Sequence, residues 1–491
     1  MNVLDKVISV FSPEAGLKRA ASRQMLDHFR ERDYASAQTG RRNKAWRARA
    51  TSANVEVGGA LGTLRNRARD FVRNRWMGQR ILDVLTSHVV GTGITVVPNT
   101  GSDRADKAFS SAWEEWQEVS DAEGVMGFGA MQALTVRSMV EGGDSVVRMI
   151  DLEMGEADGS VPMRLLGLEG DQIDTSRDRY FADQTVRLGV QLGKWGRRKG
   201  LWLLPEHPGD MSLASVAASS LVAWEDLCHL YRPLRFGQVR GISWFAPLLV
   251  TASEIQDLME AAIVQARTQA SFAGFIKRQP GGMNVLAATK DEKGKPVTRI
   301  EPGMIADIGE ADITFSNPSS QSAFAETYIA GMQAMAAGAG LTYDQMTGDL
   351  RQANYSSLRA GKIEFRRLVE QIQYHIVGPR LCMPVARRFA DRAVMAGKLA
   401  YRRAGYPCDL IMPANEPIDP KKDLEADILA VRAGRMSPQE FISAWGSDWR
   451  KVVADFKTFF ATIDGSGVAL DIDPRRPAGG RTERPEPAPE T

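Results

Sequence analysis

The alternation of apolar and polar positions divides the chain into a mainly helical body with short strands set between the helices. Residues 64–88, LRNRARDFVRNRWMGQRILDVLTSH, place Leu64, Phe71, Ile81, Leu82 and Leu85 among arginines, as an amphipathic helix does. VVGTGITVV then reads as a strand with a glycine turn. Phe109, Trp113 and Trp116 follow at spacings of 4 and 3, so three aromatics share one helical face, and a packing stripe is expected rather than a ligand box. A further helix is predicted at 129–141, strands at SVVRMI and MRLLGLE, and between 186 and 204 a hairpin around a glycine-flanked basic turn.

Residues 246–273 contain no glycine and admit proline only in the first turn. Leu248, Ala252, Ile255, Met259, Ala262 and Ala266 recur there at helical spacing, which predicts one long helix. Glu254, Asp257 and Glu260 step along another of its faces. From 275 to 320, Gly, Pro, Lys and Asp separate short apolar runs, the pattern of a small β-rich insertion. Helix resumes at 321–339, with Phe324, Tyr328, Met332 and Met335 on one side. After the polar stretch GDLRQANYSS, Leu358, Gly361, Phe365, Leu368, Ile372 and Ile376 line a helical face, and Arg359, Lys362 and Arg366 line another. Gly378-Pro379 should break or kink that helix, whose second half is expected to reach about Arg403. YPCDLIMP reads as a strand, and 418–434 and 437–461 as helices, the latter started by Ser437-Pro438. The proline-rich end, PRRPAGGRTERPEPAPET, is expected to be disordered, and the chain carries no internal repeat. The fold class is therefore α+β, mainly helical.

Charge changes the picture more than composition does. The net charge is only +2, yet residues 1–80 hold 17 Lys and Arg against 7 Asp and Glu, and residues 351–403 hold 12 against 3. The remainder is strongly acidic. Two basic segments on an acidic chain point to contact with a polyanion, to pairing between copies, or to solvated helix faces. Residues 1–60 read as a basic, partly helical arm. Three distant cysteines, Cys228, Cys382 and Cys408, supply neither a disulfide framework nor a zinc knuckle and fit a reducing compartment. The absence of a long apolar run argues against export and membrane spanning.

Enzymatic signatures are missing. The five histidines are scattered, no phosphate-binding glycine loop with its lysine and hydroxyl occurs, and Ser243 in GISWF lacks the second glycine of a nucleophile elbow. Ser356-Ser357 has no histidine close in sequence, and Asp171 with Asp174 is a common loop pairing that nothing nearby completes. No catalytic, cofactor or metal site is expected.

Three stretches, RARDFVRNRWMGQRILDVLTSHVVGTGI, YRPLRFGQVRGISWFAPLL and GDLRQANYSSLRAGKIEFRR, resemble the lambda-type portal proteins of tailed bacteriophages, over most of residues 60–400. The resemblance implies an elongated subunit of wing, stem, clip and crown. Copies would form a ring, usually dodecameric, at one capsid vertex of the virion after assembly in the host cytoplasm. Double-stranded DNA would be driven in by terminase and would leave at infection. On this reading 61–244 is wing, 245–274 and 321–343 are stem helices, and 275–320 is the clip, with Lys290, Lys293 and Lys295 facing terminase and later the head-completion proteins. Residues 344–357 become a tunnel loop carrying Gln345, Asp349, Arg351, Gln352, Asn354 and Tyr355. Residues 358–403 become the kinked wing helix, 404–465 wing and crown helices, and 466–491 a tail. Capsid or scaffold protein is a further implied partner; a membrane is not. Arg359, Lys362 and Arg366 would meet either DNA or the Glu254, Asp257 and Glu260 stripe of the next subunit. Two other readings are a nucleic-acid-binding protein that uses the basic arm without forming a ring, and a monomeric hydrolase with an unrecognised site.

Overall fold

The computed structural model describes residues 50–153, 155–157, 159–180, 185–210, 218–271, 275–277, 306–309, 321–351 and 354–466. Most of the basic arm, the three clip lysines, Gln352 and the proline-rich end lie outside them. Among the described residues, no helix is long and apolar enough to cross a membrane.

The single helix expected at 64–88 is two, α1 (Ala53–Asn74) and α2 (Trp76–Val90). Arg75 between them is extended, at φ −130° and ψ 123°. The bend lets Phe71 and Leu85 enter the same core. It brings α2 so close to α1 that a β-carbon on Gly78 would lie 2.7 Å from the Phe71 carbonyl oxygen. Glycine turns at Gly91 and Gly93, both with positive φ, lead into β1 (Thr95–Pro98). Next come α3 (Asp103–Glu118), α4 (Phe128–Gly142), β2 (Asp144–Asp151) and β3 (Met163–Glu169). The aromatic stripe of α3 is buried, as expected. Phe109 and Trp113 meet the Phe389 ring at 5.3 and 4.9 Å, and the Trp116 indole donates to the Met163 carbonyl at 2.7 Å.

The predicted hairpin belongs to a five-stranded antiparallel meander of β4 (Arg179–Tyr180), β5 (Thr185–Arg187), β6 (Val190–Leu192), β7 (Arg198–Leu203) and β8 (Ser220–Ala223). The next strand, β9 (Leu227–Tyr231), joins the other sheet, whose order is β3-β2-β9. Then come α5 (Leu249–Ser271), the parallel pair β10 (Phe275–Lys277) and β11 (Ala306–Gly309), and α6 (Gln321–Ala339). Glycines let α5 and α6 approach: a β-carbon on Gly331 would stand 3.0 Å from Ile255, and one on Gly338 2.6 Å from Leu248.

A one-turn helix, α7 (Tyr343–Thr347), precedes α8 (Tyr355–Ile372). Gly378-Pro379 neither ends α8 nor kinks it simply. The backbone continues as a ten-residue π-helix, Gln373–Cys382, before α9 (Met383–Met395). Widening accommodates a proline without its N–H, and the Met383 amide reaches back five residues to the Gly378 carbonyl. Gly378 is small because a β-carbon there would lie 2.8 Å from Leu410. The helix closes at Met395, well short of Arg403, where Gly397 takes φ 71°. Leu410 sits on β12 (Cys408–Ile411), which pairs antiparallel with β1. The last predicted helix is again two. After α10 (Pro420–Arg432), α11 (Pro438–Ala444) and α12 (Trp449–Ser466) are separated by a turn at Gly446, φ 78°.

One apolar core runs from Phe71 and Leu85 through Trp116, Phe245 and Met335 to Phe389. Beside a smaller core around Val146, Val190 and Leu201 lies a buried charge cluster. Asp144 and Arg240 are fully buried. Asp144 pairs with Arg240, with Arg65 of α1 at 2.8 Å and with His229 of β9 at 3.3 Å. Arg240 also donates to the carbonyls of Gly170 at 2.6 Å and Leu188 at 3.1 Å. Burial alone would raise the Asp144 pKa, but the charges of Arg240 and Arg65 and the hydrogen bonds from His229 and Arg240 hold it far below the usual carboxylate range. Burial pushes the His229 imidazole below its ordinary value, against the pull of Asp144.

Two outcomes are expected. Asp144→Asn leaves the buried Arg240 guanidinium without its counterion, while Arg65 keeps only Asp171, and should cost about 3–5 kcal/mol, read as a lower urea midpoint. Both Asp144 and His229 bind a proton more readily unfolded than folded. Stability should therefore be full above about pH 6.5, fall as pH drops through that value, and fall again below about pH 3.9. Urea titrations at pH 7.5 and pH 5 check the first step, which His229→Gln should shrink.

Candidate channel loop and subunit interface

The expected loop at 344–357 is partly helical at both ends. Past α6, Gly340 (φ 75°) reverses the chain into α7, where the Gln345 side chain accepts from the Thr342 amide at 3.0 Å. Arg80 of α2 donates to the Gln345 carbonyl at 2.9 Å, which ties the turn to α2. Gly348 ends α7 in the left-handed conformation at φ 73°. At the other end the Asn354 side chain accepts from the Ser357 amide at 2.8 Å, and the Ser357 hydroxyl accepts from the Asn354 amide at 3.2 Å. The polar run is therefore in large part the capping box of α8, and Tyr355 is that helix's first residue.

Between the caps, Arg351 is 87% exposed yet paired. Its guanidinium donates to both Asp349 oxygens, at 2.9 and 2.8 Å, and its amide donates to the first at 3.0 Å. These bonds hold the Asp349 carboxyl down at about 2. The pair stays ionised at any working pH and has no net charge.

The cationic face of α8 is partly used within the chain. Arg359 pairs with Asp423 of α10 at 3.6 Å, and Arg366 donates to the Glu416 carbonyl. Lys362, half-buried, has no ion-pair or hydrogen-bond partner among the described residues. Glu254, Asp257 and Glu260 are all exposed on α5, and among the described residues no Lys or Arg lies within 4 Å of them. Glu260 accepts a hydrogen bond from Gln256 at 3.1 Å. The acidic stripe and the basic face are not joined in one chain.

Other groups with chemical potential are already occupied. Glu169, Asp171 and His207 bring possible ligand atoms within 4.8 Å of one another, but Arg69 binds both carboxylates and Arg65 reaches Asp171 at 3.1 Å. Two guanidinium groups there balance the acids a cation would need. Asp174 is engaged separately, with Ser176, Ser219 and Arg177. Burial pushes the Cys228 thiol up to about 12, which leaves it protonated and unreactive.

A family model described as phage portal protein, lambda family, matches residues 39–373. A probable portal protein of Halomonas phage phiHAP-1 is 22% identical over 461 residues, covering 87% of this chain and 87% of the relative. Portal protein B of Escherichia phage lambda is 21% identical over 304 residues, covering 53% and 52%. Among solved structures, a chain from the neck of a native gene transfer agent particle, computed with C12 symmetry, aligns at 15% identity and a TM-score of 0.39, over 77% of this chain and 93% of that one. The fold described above is mainly helical α+β; the match over residues 39–373 shows that the chain belongs to the lambda family of phage portal proteins. Its function is that of a phage portal.

The cap assignment is testable. Asn354→Ala should lower stability by about 1 kcal/mol, seen as a lower melting temperature, whereas Asn354→Asp or Asn354→Ser should restore it.

Proposed function

We propose that copies of this chain close into a ring at one capsid vertex of the virion, around a passage for double-stranded DNA that is filled by terminase and emptied at infection. The observation that carries the reading is the reach of the family match, from residue 39 to 373, through both long helices and the loop after them. In the proposed ring, α5 and α6 are stem, the segment 275–320 is a clip facing terminase and head-completion proteins, and 344–357 lines the channel. The sheets and α1 to α4 form the wing, with α8 and α9, and 404–465 contributes crown helices. The chain conducts DNA and has no reaction of its own.

Open apolar faces support assembly. No residue of α10 or α11 is buried, yet Leu429 is 63% exposed, and Val453, Phe456 and Phe459 of α12 are about half exposed. Short amphipathic helices draw their stability from burying such a face, so other copies are the natural cover. The near-neutral Asp349–Arg351 pair suits a channel wall, because weak phosphate contact lets DNA slide where a row of uncompensated cations would grip. Lys362 is the cation of α8 best placed to meet the acidic stripe of the next subunit.

Electron micrographs of the purified protein should show annular particles with a central hole; compact single-chain particles at every concentration would sink the reading. Lys362→Glu should impair ring assembly, and adding Asp257→Lys should rescue it, as read by light scattering. Rings unaffected by Lys362→Glu, with packaging impaired, would assign Lys362 to DNA instead.

A further inference from the structure

The tip of the β6–β7 hairpin displays a tryptophan. Trp195 is 93% exposed and sits in the left-handed region at φ 63° and ψ 18°. Glycines stand on both sides of it, yet the position that glycine would occupy at least cost holds the largest side chain. The tip is tightly built: the Gly193 amide donates to the Arg197 carbonyl at 2.7 Å, and the Gly196 amide donates to the Gly193 carbonyl at 3.1 Å. Lys194, Arg197 and Lys199 flank the indole, all exposed, and none has an ion-pair partner among the described residues. Lys194 stands 5.8 Å from the indole centroid. Such a knob fits an apolar socket with an acidic rim. Duplex DNA offers the indole no unstacked base to cover.

The same chain carries an exposed apolar patch among acidic side chains. At the end of α3, WEEWQEVSDAEGV exposes Val119 at 44% and Val125 at 76%, among exposed Glu115, Glu118 and Glu123. Glu114 beside them reaches Lys451 at 3.9 Å. Buried Asp121 fixes the valine loop, accepting from the amides of Glu123, Val125 and Met126 at 3.2, 2.9 and 3.2 Å. The two surfaces lie apart along the chain. Asp121 is bridged to Leu165 near the start of β3, whereas the hairpin's sheet meets the chain at the Ile173–Leu203 bridge beyond the end of β3. The tip is at the end of β7 remote from Leu203. A head-to-tail ring requires this arrangement of two unlike, complementary surfaces on one subunit.

We infer that the Trp195 hairpin of one copy docks on the acidic valine patch, Val119 and Val125 with Glu115, Glu118 and Glu123, of the next copy. The inference rests on the ring reading and names one of its joints. The test is sedimentation velocity on the full chain, with circular dichroism to check that each variant folds. Lys194→Glu with Arg197→Glu should lower the ring fraction about tenfold or more, as should Trp195→Ala. Adding Glu115→Lys and Glu118→Lys to the first pair, in the same chain, should restore rings. Folded variants of the hairpin that assemble like wild type would overturn the inference and leave the ring reading intact. So would loss of binding to a DNA duplex with rings unchanged, which would assign the hairpin to DNA. A wild-type chain that stays monomeric at every concentration would overturn the ring reading, and this joint with it.

Discussion

The buried carboxylate of Asp144 is the constraint on which the two larger sheets and the helices around them depend. A lone ionised group at zero exposure would cost many kcal/mol, so everything around it is arranged to supply counter-charge. Arg65 comes from α1, His229 from β9, and Arg240 from the connection into α5. Arg240 spends its remaining donors on Gly170 and Leu188, one at the end of β3 and the other between β5 and β6. One carboxylate and its Arg240 thereby register a helix, the three- and five-stranded sheets and the root of the long helix against each other. Apolar packing alone would tolerate sliding; a charge cluster with directed hydrogen bonds does not. Glycine makes the approach possible: a β-carbon on Gly143 would lie 2.7 Å from the Ser243 amide nitrogen, and one on Gly241 would meet the Gly143 carbonyl.

A second registration joins segments far apart in the chain. The π-helix Gln373–Cys382 is held from one side by the Gln373 side chain, whose Nε2 donates to the Val89 carbonyl at 2.9 Å, and from the other by Leu410 against Gly378. Strand β12 then pairs with β1, so the segments before and after the helical run close on one another. A plain proline kink would bend the helix but leave open how it packs; the widened turn places its small residue where β12 must pass.

What the sequence made legible follows from what periodicity can encode. The aromatic stripe of α3, the first half of α5, where Ala252 and Ile255 are buried, and the second half of α6, where Met332 and Met335 are, bury one face, and a buried face leaves a period; along α5 the period outlasts the burial, for Ala266 is exposed. Breaks within a periodic run were harder to read. Arg75 carries no glycine or proline signal, and the split of 437–461 at Gly446 interrupts a pattern that otherwise continues. Charge was the least legible feature. Arg240 and Asp144 look in sequence like any solvated pair, since nothing local marks burial. Arg359 and Arg366 look available, yet find Asp423 and Glu416 more than 45 residues away in the chain. In the polar loop, Asn354 and Ser357 fit a DNA contact and a helix cap equally well by residue type. The capping box explains why those types occur at that spacing.

On the ring reading proposed above, the Asp349–Arg351 pair bears on how such a ring could hold DNA without stopping it. Affinity for duplex DNA grows with the number of phosphates neutralised, and a ring repeats each loop once per subunit. One unpaired arginine per loop would multiply into a belt of cations whose combined grip rises steeply with copy number. An arginine already bound through its Nε and one Nη to both oxygens of a neighbouring carboxylate contributes no net charge to that belt, while its donors remain near the surface for transient exchange. In the proposed ring, repetition would help the stem by adding up weak contacts between copies and would harm the channel by the same arithmetic. The two proposed surfaces therefore call for opposite electrostatics: uncompensated charge where copies would meet, and self-compensated charge where the genome would slide.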